Sequence, residues 1–140
     1  MTAVLHLGPG ERAPGWVEAI EQVCFGDSWG VLDELEHVWA VRPAAFARWR
    51  IIPEVQEAEL LRIGVAADCR RQGHACALLR LSQAELARMG VEEAHLEVRV
   101  SNAAARALYE REGWVWQGER KAYYRDGETA ALYSKAIARA

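Results

Sequence analysis

A loop of two arginines, a glutamine, a glycine and small residues, "RRQGHAC" (70–76), stands where an amphipathic run begins. The free N–H groups of a helix's first turn and the helix dipole attract anions. Gly73 allows close approach to the backbone, Ala75 is small, and Arg70 and Arg71 supply charge that suits phosphate. The other reading is a solvated basic turn before an ordinary helix. No G-x-G-x-x-G follows the preceding strand and no G-x-x-x-x-G-K-S/T occurs, so neither a dinucleotide fold nor a P-loop is indicated. Two further residues have types suited to proton transfer. Glu97 lies on the polar side of the alternating stretch "EAHLEVRV" (93–100), and Tyr109 lies seven residues after Asn102 in a helical pattern. A solvated carboxylate and a packed core tyrosine are the plain alternatives.

The elements that must position these residues follow from hydrophobic period and turn chemistry. Strands are expected at Ala3 to Leu7, 37–41, 45–52 and 60–65. Gly15 to Phe25 reads as a helix on Trp16, Ile20 and Val23. Asp27 and Ser28 are capping types before a short second helix carrying Val31, Leu32 and Leu35. The helix after the basic loop runs from about His74 to Met89 and buries Ala75, Leu78, Leu79, Ser82, Leu86 and Met89. The stretch 93–100 is a strand with Ala94, Leu96, Val98 and Val100 on one face and His95, Glu97 and Arg99 on the other. A helix from about Ala103 to Glu112 is capped by Asn102 and closed by Gly113. "WVWQGE" and "AALYSKAI" are the last strands, joined by a loop with Tyr123, Tyr124 and the turn "RDG". Gly64, inside a strand pattern, marks a bulge or a close backbone approach. Strand–helix–strand units following a strand-rich first half define an α/β domain with a mixed sheet.

Composition bounds the partners. The 140 residues make one domain, 51% apolar and 26% charged. No apolar run reaches the roughly 18 residues of a membrane span, and the N-terminus lacks the pattern of a signal peptide. Three widely spaced cysteines (Cys24, Cys69 and Cys76) show no metal-ligand spacing and read as reduced thiols in a cytoplasmic protein, with no metal expected. A net charge of −3 argues against direct nucleic-acid binding.

The segment Arg70-Arg71-Gln72-Gly73-His74-Ala75 resembles the Q/R-x-x-G-x-G/A pyrophosphate loop of the GNAT superfamily of N-acetyltransferases. "LEVRVSNAAARALYEREGW" (96–114) is similar to the matching segment of bacterial ribosomal-protein-alanine N-acetyltransferases of the RimI type. The resemblance covers about Leu60 to Ala131. It implies a mixed, mostly antiparallel sheet of seven strands, with helices on both faces and a splayed central parallel pair holding acetyl-CoA. It further implies that Ile63, Gly64 and Val65 pair with the pantetheine arm, with the Val65 N–H as an oxyanion donor. Arg71 to Cys76, with Arg70, Gln72, His74 and Ala75, would hold the pyrophosphate, and Asn102 would touch the pantetheine arm. Glu97 takes the place of the general base and Tyr109 that of the acid for the departing thiolate. Arg99 is expected to hold Glu97 ionised or to meet the substrate.

The acceptor implied is the N-terminal α-amine of a protein, alanine of a small-subunit ribosomal protein, with Tyr123 and Tyr124 shaping its slot. An α-amine has a pKa of roughly 7.7–8.0 against about 10.4 for lysine, so reaching the neutral form at pH 7 costs about 3 kcal/mol less. The sequence departs from the family at Ala122, at Glu128-Thr129, and at the "GDSW" that ends the Phe25–Trp29 element. Two alternatives stay open: a lysine or small-molecule amine as acceptor, marked by an open acidic slot, and a CoA-binding module without catalysis.

Overall fold

The computed structural model describes residues 4–137. The expected strand position at Ala3 lies outside them. Seven strands form one sheet in the order β1-β2-β3-β4-β5-β7-β6. They are β1 (Val4–Leu7), β2 (Glu36–Val41), β3 (Ala45–Ile52), β4 (Glu57–Val65), β5 (Glu93–Arg99), β6 (Val115–Arg120) and β7 (Ala130–Ala136). Every neighbouring pair is antiparallel except β4–β5. Among the described residues the α-helices are α1 (Gly15–Phe25), α2 (His74–Arg88) and α3 (Ala103–Arg111). This is the expected single α/β unit with a mixed, mostly antiparallel sheet.

The alternation of β2 and β3 divides the core. Trp39, Ala47 and Trp49 face Leu78, Leu79 and Leu86 of α2 and Tyr109 of α3. Val38, Ala40 and Phe46 face Val17 and Ile20 of α1. Helices therefore cover both faces, because β2 and β3 carry apolar residues at odd and even positions alike.

The parallel pair holds only from Glu57↔Glu93 to Leu60↔Leu96. Opposite Arg48 and Trp49, β4 carries the extra residue Leu61 between Leu60 and Arg62. Such a bulge bends the strand that bears it. Beyond it β4 stays on β3 through Ala45↔Val65, while β5 stays on β7 through Arg99↔Ala130. The two central strands splay apart as expected. The bulge falls at Leu61 rather than at Gly64. At Gly64 a Cβ would sit 2.8 Å from Phe46 Cε1 and 3.3 Å from Cys24 Sγ, so close packing of α1 and β3 accounts for this glycine.

Three expectations are corrected. Residues 26–35 form no helix. Gly30 takes φ 71°, Val31 bridges Arg12, and Leu32 N–H donates to the Glu11 carbonyl. Backbone donors that a helix would use internally go instead to side chains and to the Glu11 carbonyl. The inward face of α1 is Val17, Ile20 and Glu21, with Val23 left 71% exposed. Met89 is 44% exposed, because α2 ends at Arg88 and the chain turns at Gly90, φ 89°. The buried face of α2 is completed by Gln83 instead.

Candidate active site

A cavity of about 480 Å³ opens where β4 and β5 part. Leu60 to Ile63 form one wall, Leu96 to Arg99 the second, and Asn102, Ala105, Leu108 and Tyr109 of the α3 segment the third. Phe25, Trp29 and Tyr124 close its outer end. Glu97 and Tyr109, twelve positions apart in the chain, thus line one space.

Glu97 is largely buried and has two close partners. The Arg120 Nη1 lies 3.6 Å from its Oε1. Tyr123 lies beside it, and the Glu97 carboxylate, with burial second, raises the Tyr123 pKa. Of the two roles expected of Arg99, it does not take the one of holding Glu97. Its Nη1 binds Asp126 Oδ2 at 2.8 Å and Glu128 Oε1 at 3.0 Å, and its Cζ lies 4.1 Å over the Tyr124 ring. Arg99 points the same way as Glu97 along β5, but the β6–β7 loop brings its own carboxylates to it. Arg120, from the end of β6, supplies the cation that the sequence reading assigned to Arg99.

Glu128, noted in the sequence only as a departure from the family, is a structural residue. Its Oε2 accepts from the Ser101 N–H at 3.0 Å, and bonds from Ser101 and Arg99 hold its pKa below the usual carboxylate range. Together with Asp126 it anchors the loop that carries Tyr123 and Tyr124. The two rings meet edge to face at 5.1 Å. The "RDG-E" turn was the available signal, since acidic residues flanking a glycine turn beside a strand arginine invite such a clamp.

Tyr109 is buried against Trp114 and Tyr133. Burial, and then nearby Tyr124, push its pKa up to about 12. The phenol is therefore fully protonated at neutral pH. Asn102 caps α3, its Oδ1 accepting from the Ala105 N–H at 3.1 Å, and it also lines the cavity.

The basic loop sits at the α2 start. Gly73 is the residue before α2, with φ 81° and no side-chain cap on the helix. Nothing lies within 4 Å of where its Cβ would be. Arg71 is also left-handed, φ 63°. Uncapped first-turn N–H groups beside an open surface suit a phosphate group. Arg71 and Gln72 are exposed, and His74 Nε2 stands 3.3 Å from Gln72 Oε1. Arg70 turns the other way: its Nε donates to the Val65 carbonyl at 3.3 Å and its Nη2 approaches Cys24 Sγ at 3.7 Å. It ties the loop to the end of β4. Arg80 grips Glu112 at 2.7 and 2.9 Å, and burial, then the Glu112 carboxylate, raise the Cys76 pKa. Burial raises that of Cys69 also, with Asp68 beside it. Neither thiol is activated. Ile63, Gly64 and Val65 run along the β4 side that β5 has left, with Ile63 lining the cavity.

A second hollow, about 310 Å³, lies on the other side of Glu97 and is bordered by Glu57, Glu59, His95 and Arg120. Parallel register puts Glu57 opposite Glu93, and His95 lies between them, with Nε2 3.1 Å from Glu57 and Nδ1 3.1 Å from Ser134 Oγ. These three side chains bring their ligand-type atoms within 4.8 Å. Glu93 and His95 share a face of β5 two residues apart, and the strand pairing alone brings Glu57 to them.

A seven-stranded sheet parted at its parallel pair, with a helix N-terminus at one end of the gap, defines an acetyltransferase-type α/β protein. Residues 11–114 match the model of the Acetyltransferase (GNAT) family, and the chain belongs to that family. It is 44% identical over 91 residues to the ribosomal protein bS18-alanine N-acetyltransferase of Escherichia coli, across 64% of this chain and 60% of the relative. It is 38% identical over 84 residues to an N-alpha-acetyltransferase of Saccharolobus solfataricus, 59% of this chain and 50% of that one. The aligned stretches thus span half to three fifths of these relatives. The crystal structure of the Escherichia coli alanine N-acetyltransferase superposes with a TM-score of 0.78 at 31% identity, over 100% of this chain and 96% of that one. Among the described residues no helix is long and apolar enough to cross a membrane.

Proposed function

We propose that the protein transfers an acetyl group from acetyl-CoA to the N-terminal α-amine of a protein, with alanine of a small-subunit ribosomal protein as the acceptor. One observation carries the reading: Glu97 and Tyr109 face the same cavity in the split between β4 and β5. The similarity to alanine N-acetyltransferases supports the choice of acceptor.

Acetyl-CoA supplies a thioester carbonyl that an amine can attack. The residues present suit it: the open helix start at Gly73 for the pyrophosphate, with Arg71 to Cys76 around it, and Ile63 to Val65 for the arm. Glu97, directly or through water, accepts the proton that the α-ammonium must lose. Arg120 and Tyr123 orient its carboxylate. The N–H of Val65 would be the donor to the oxyanion of the thioester carbonyl. Tyr109 donates a hydrogen bond to the departing sulfur. With its pKa near 12 against a thiol near 8.5, full loss of the phenol proton is uphill, so donation is concerted with departure.

Incubation with acetyl-CoA and a panel of peptides, read by mass spectrometry, tests the assignment. An acetyl group on the α-amine of Ala-starting peptides supports it. Acetyl groups only on lysine side chains or small polyamines sink it. That second reading has its own support in the acid-rimmed hollow of Glu57, Glu59 and Glu97.

A further inference from the structure

Arg62 leaves β4 at the bulge and enters a tight set of contacts. Its Nη1 lies 3.0 Å from Glu21 Oε2 and 2.7 Å from Asp27 Oδ1. Its Cζ sits 3.7 Å over the Trp29 ring and 4.6 Å from the Phe25 ring centre. Glu21 is fully buried on α1, and its Oε1 accepts from the Trp29 backbone N–H at 3.3 Å. The same oxygen faces Arg48, also fully buried, at 3.5 Å. Arg48 reaches on to Glu36, whose Oε1 accepts from the Asp33 N–H at 2.8 Å.

The irregular segment 26–35 thus hangs on two guanidinium groups. Its own apolar contacts are thin: Trp29 and Val31 are exposed, and Leu32 alone is deeply buried. Buried charge retained in this way costs desolvation and is justified by a geometry it specifies. What it specifies here is the outer wall of the cavity, because Phe25, Trp29 and Arg62 all line it. Arg48, Arg62, Glu21, Asp27 and Glu36 leave the cluster one negative charge in excess, so the wall does not repel an incoming ammonium.

We propose that the Arg62–Glu21–Asp27 clamp is the positioning device of the acceptor wall: it fixes Phe25 and Trp29 against the first residues of the acceptor and leaves the acetyl-CoA half of the site untouched. The inference rests on the peptide N-terminus as acceptor. Arg62 stacks and pairs at once, as a planar guanidinium can and an ammonium cannot. Arg62 acts through the rings rather than on the reacting atoms.

The test compares Arg62→Met, Arg62→Lys and Asp27→Asn in the full chain, with acetyl-CoA affinity from calorimetry and steady-state rates on an Ala-starting peptide. Arg62→Met is expected to raise the acceptor KM on the order of tenfold, since small misplacements of positioning groups carry such costs. Acetyl-CoA affinity stays as in the parent. Arg62→Lys, which keeps the charge, recovers part of the loss. Asp27 is exposed, so Asp27→Asn retains the melting temperature and still raises KM, and it decides the matter if Arg62→Met does not fold. Folded variants with the parent's acceptor KM overturn the inference alone. A parent protein that acetylates no peptide N-terminus overturns the functional reading and the inference with it.

Discussion

Leu60 pairs with Leu96 as the last rung of the parallel strands, and Glu97 is the first β5 residue beyond the split. A carboxylate at that position projects beside the gap rather than into a paired sheet. Glu97→Gln keeps the shape and removes proton acceptance. At pH 7 kcat/KM is expected to fall on the order of 10²–10⁴-fold, with acetyl-CoA affinity unchanged. The loss shrinks as pH approaches 9, where the α-amine is already neutral. Normal turnover of the variant at pH 7 removes Glu97 from the mechanism.

The helix start at Gly73 makes a charge-specific prediction. Gly73→Asp places a carboxylate where the pyrophosphate is expected, and calorimetry should record a large loss of acetyl-CoA affinity. Gly73→Asn is the control, because asparagine tolerates the left-handed backbone and carries no charge. Equal losses in both point to backbone strain instead of anion binding.

Tyr109 predicts a pH signature. Its folded pKa, about 12, lies above the ordinary phenol value of 10. The stability it contributes is complete below pH 10 and is lost as pH rises through 12, a loss of about 3 kcal/mol. Absorbance titration of the phenolates should show one late transition that Tyr109→Phe removes. A Tyr109→Phe protein with the parent's titration curve contradicts the buried placement.

Gly64→Ala puts a methyl group 2.8 Å from Phe46 Cε1. Overpacking of this kind destabilises by roughly 1–3 kcal/mol. Thermal melting should show a clear drop, whereas an unchanged melting temperature means that Phe46 of β3 gives way freely.

The aromatic loop separates packing from selection. Tyr123→Phe removes the hydroxyl beside Glu97 while keeping the ring, so the acceptor KM should rise with little change in melting temperature. Tyr124→Ala also loses the Arg99 stack and should relax the preference for a small first residue. If neither substitution alters which peptides are acetylated, the two rings serve only to cover the sheet.

The sequence by itself determined the local features. The alternation of 93–100 set which face of β5 carries Glu97, and Asn102 and Gly113 bounded α3. "RRQGHA" marked a helix start whose Gly73 adopts the left-handed φ that glycine takes without strain. These are properties of a few adjacent residues, and periodicity reads them. Tertiary structure alone decided the rest. Whether Arg99 or Arg120 faces Glu97 depended on which carboxylates the β6–β7 loop carried to β5. The segment 26–35 has capping residues and apolar spacing for a helix, yet Glu21, Glu36 and the backbone of Glu11 claimed its donors from outside. The buried Glu21 rotated the inward face of α1 away from Val23, since two arginines from neighbouring strands made its burial tolerable. Charge pairs between residues dozens of positions apart leave no period in a sequence, because their partners are chosen by strand register and not by neighbours along the chain.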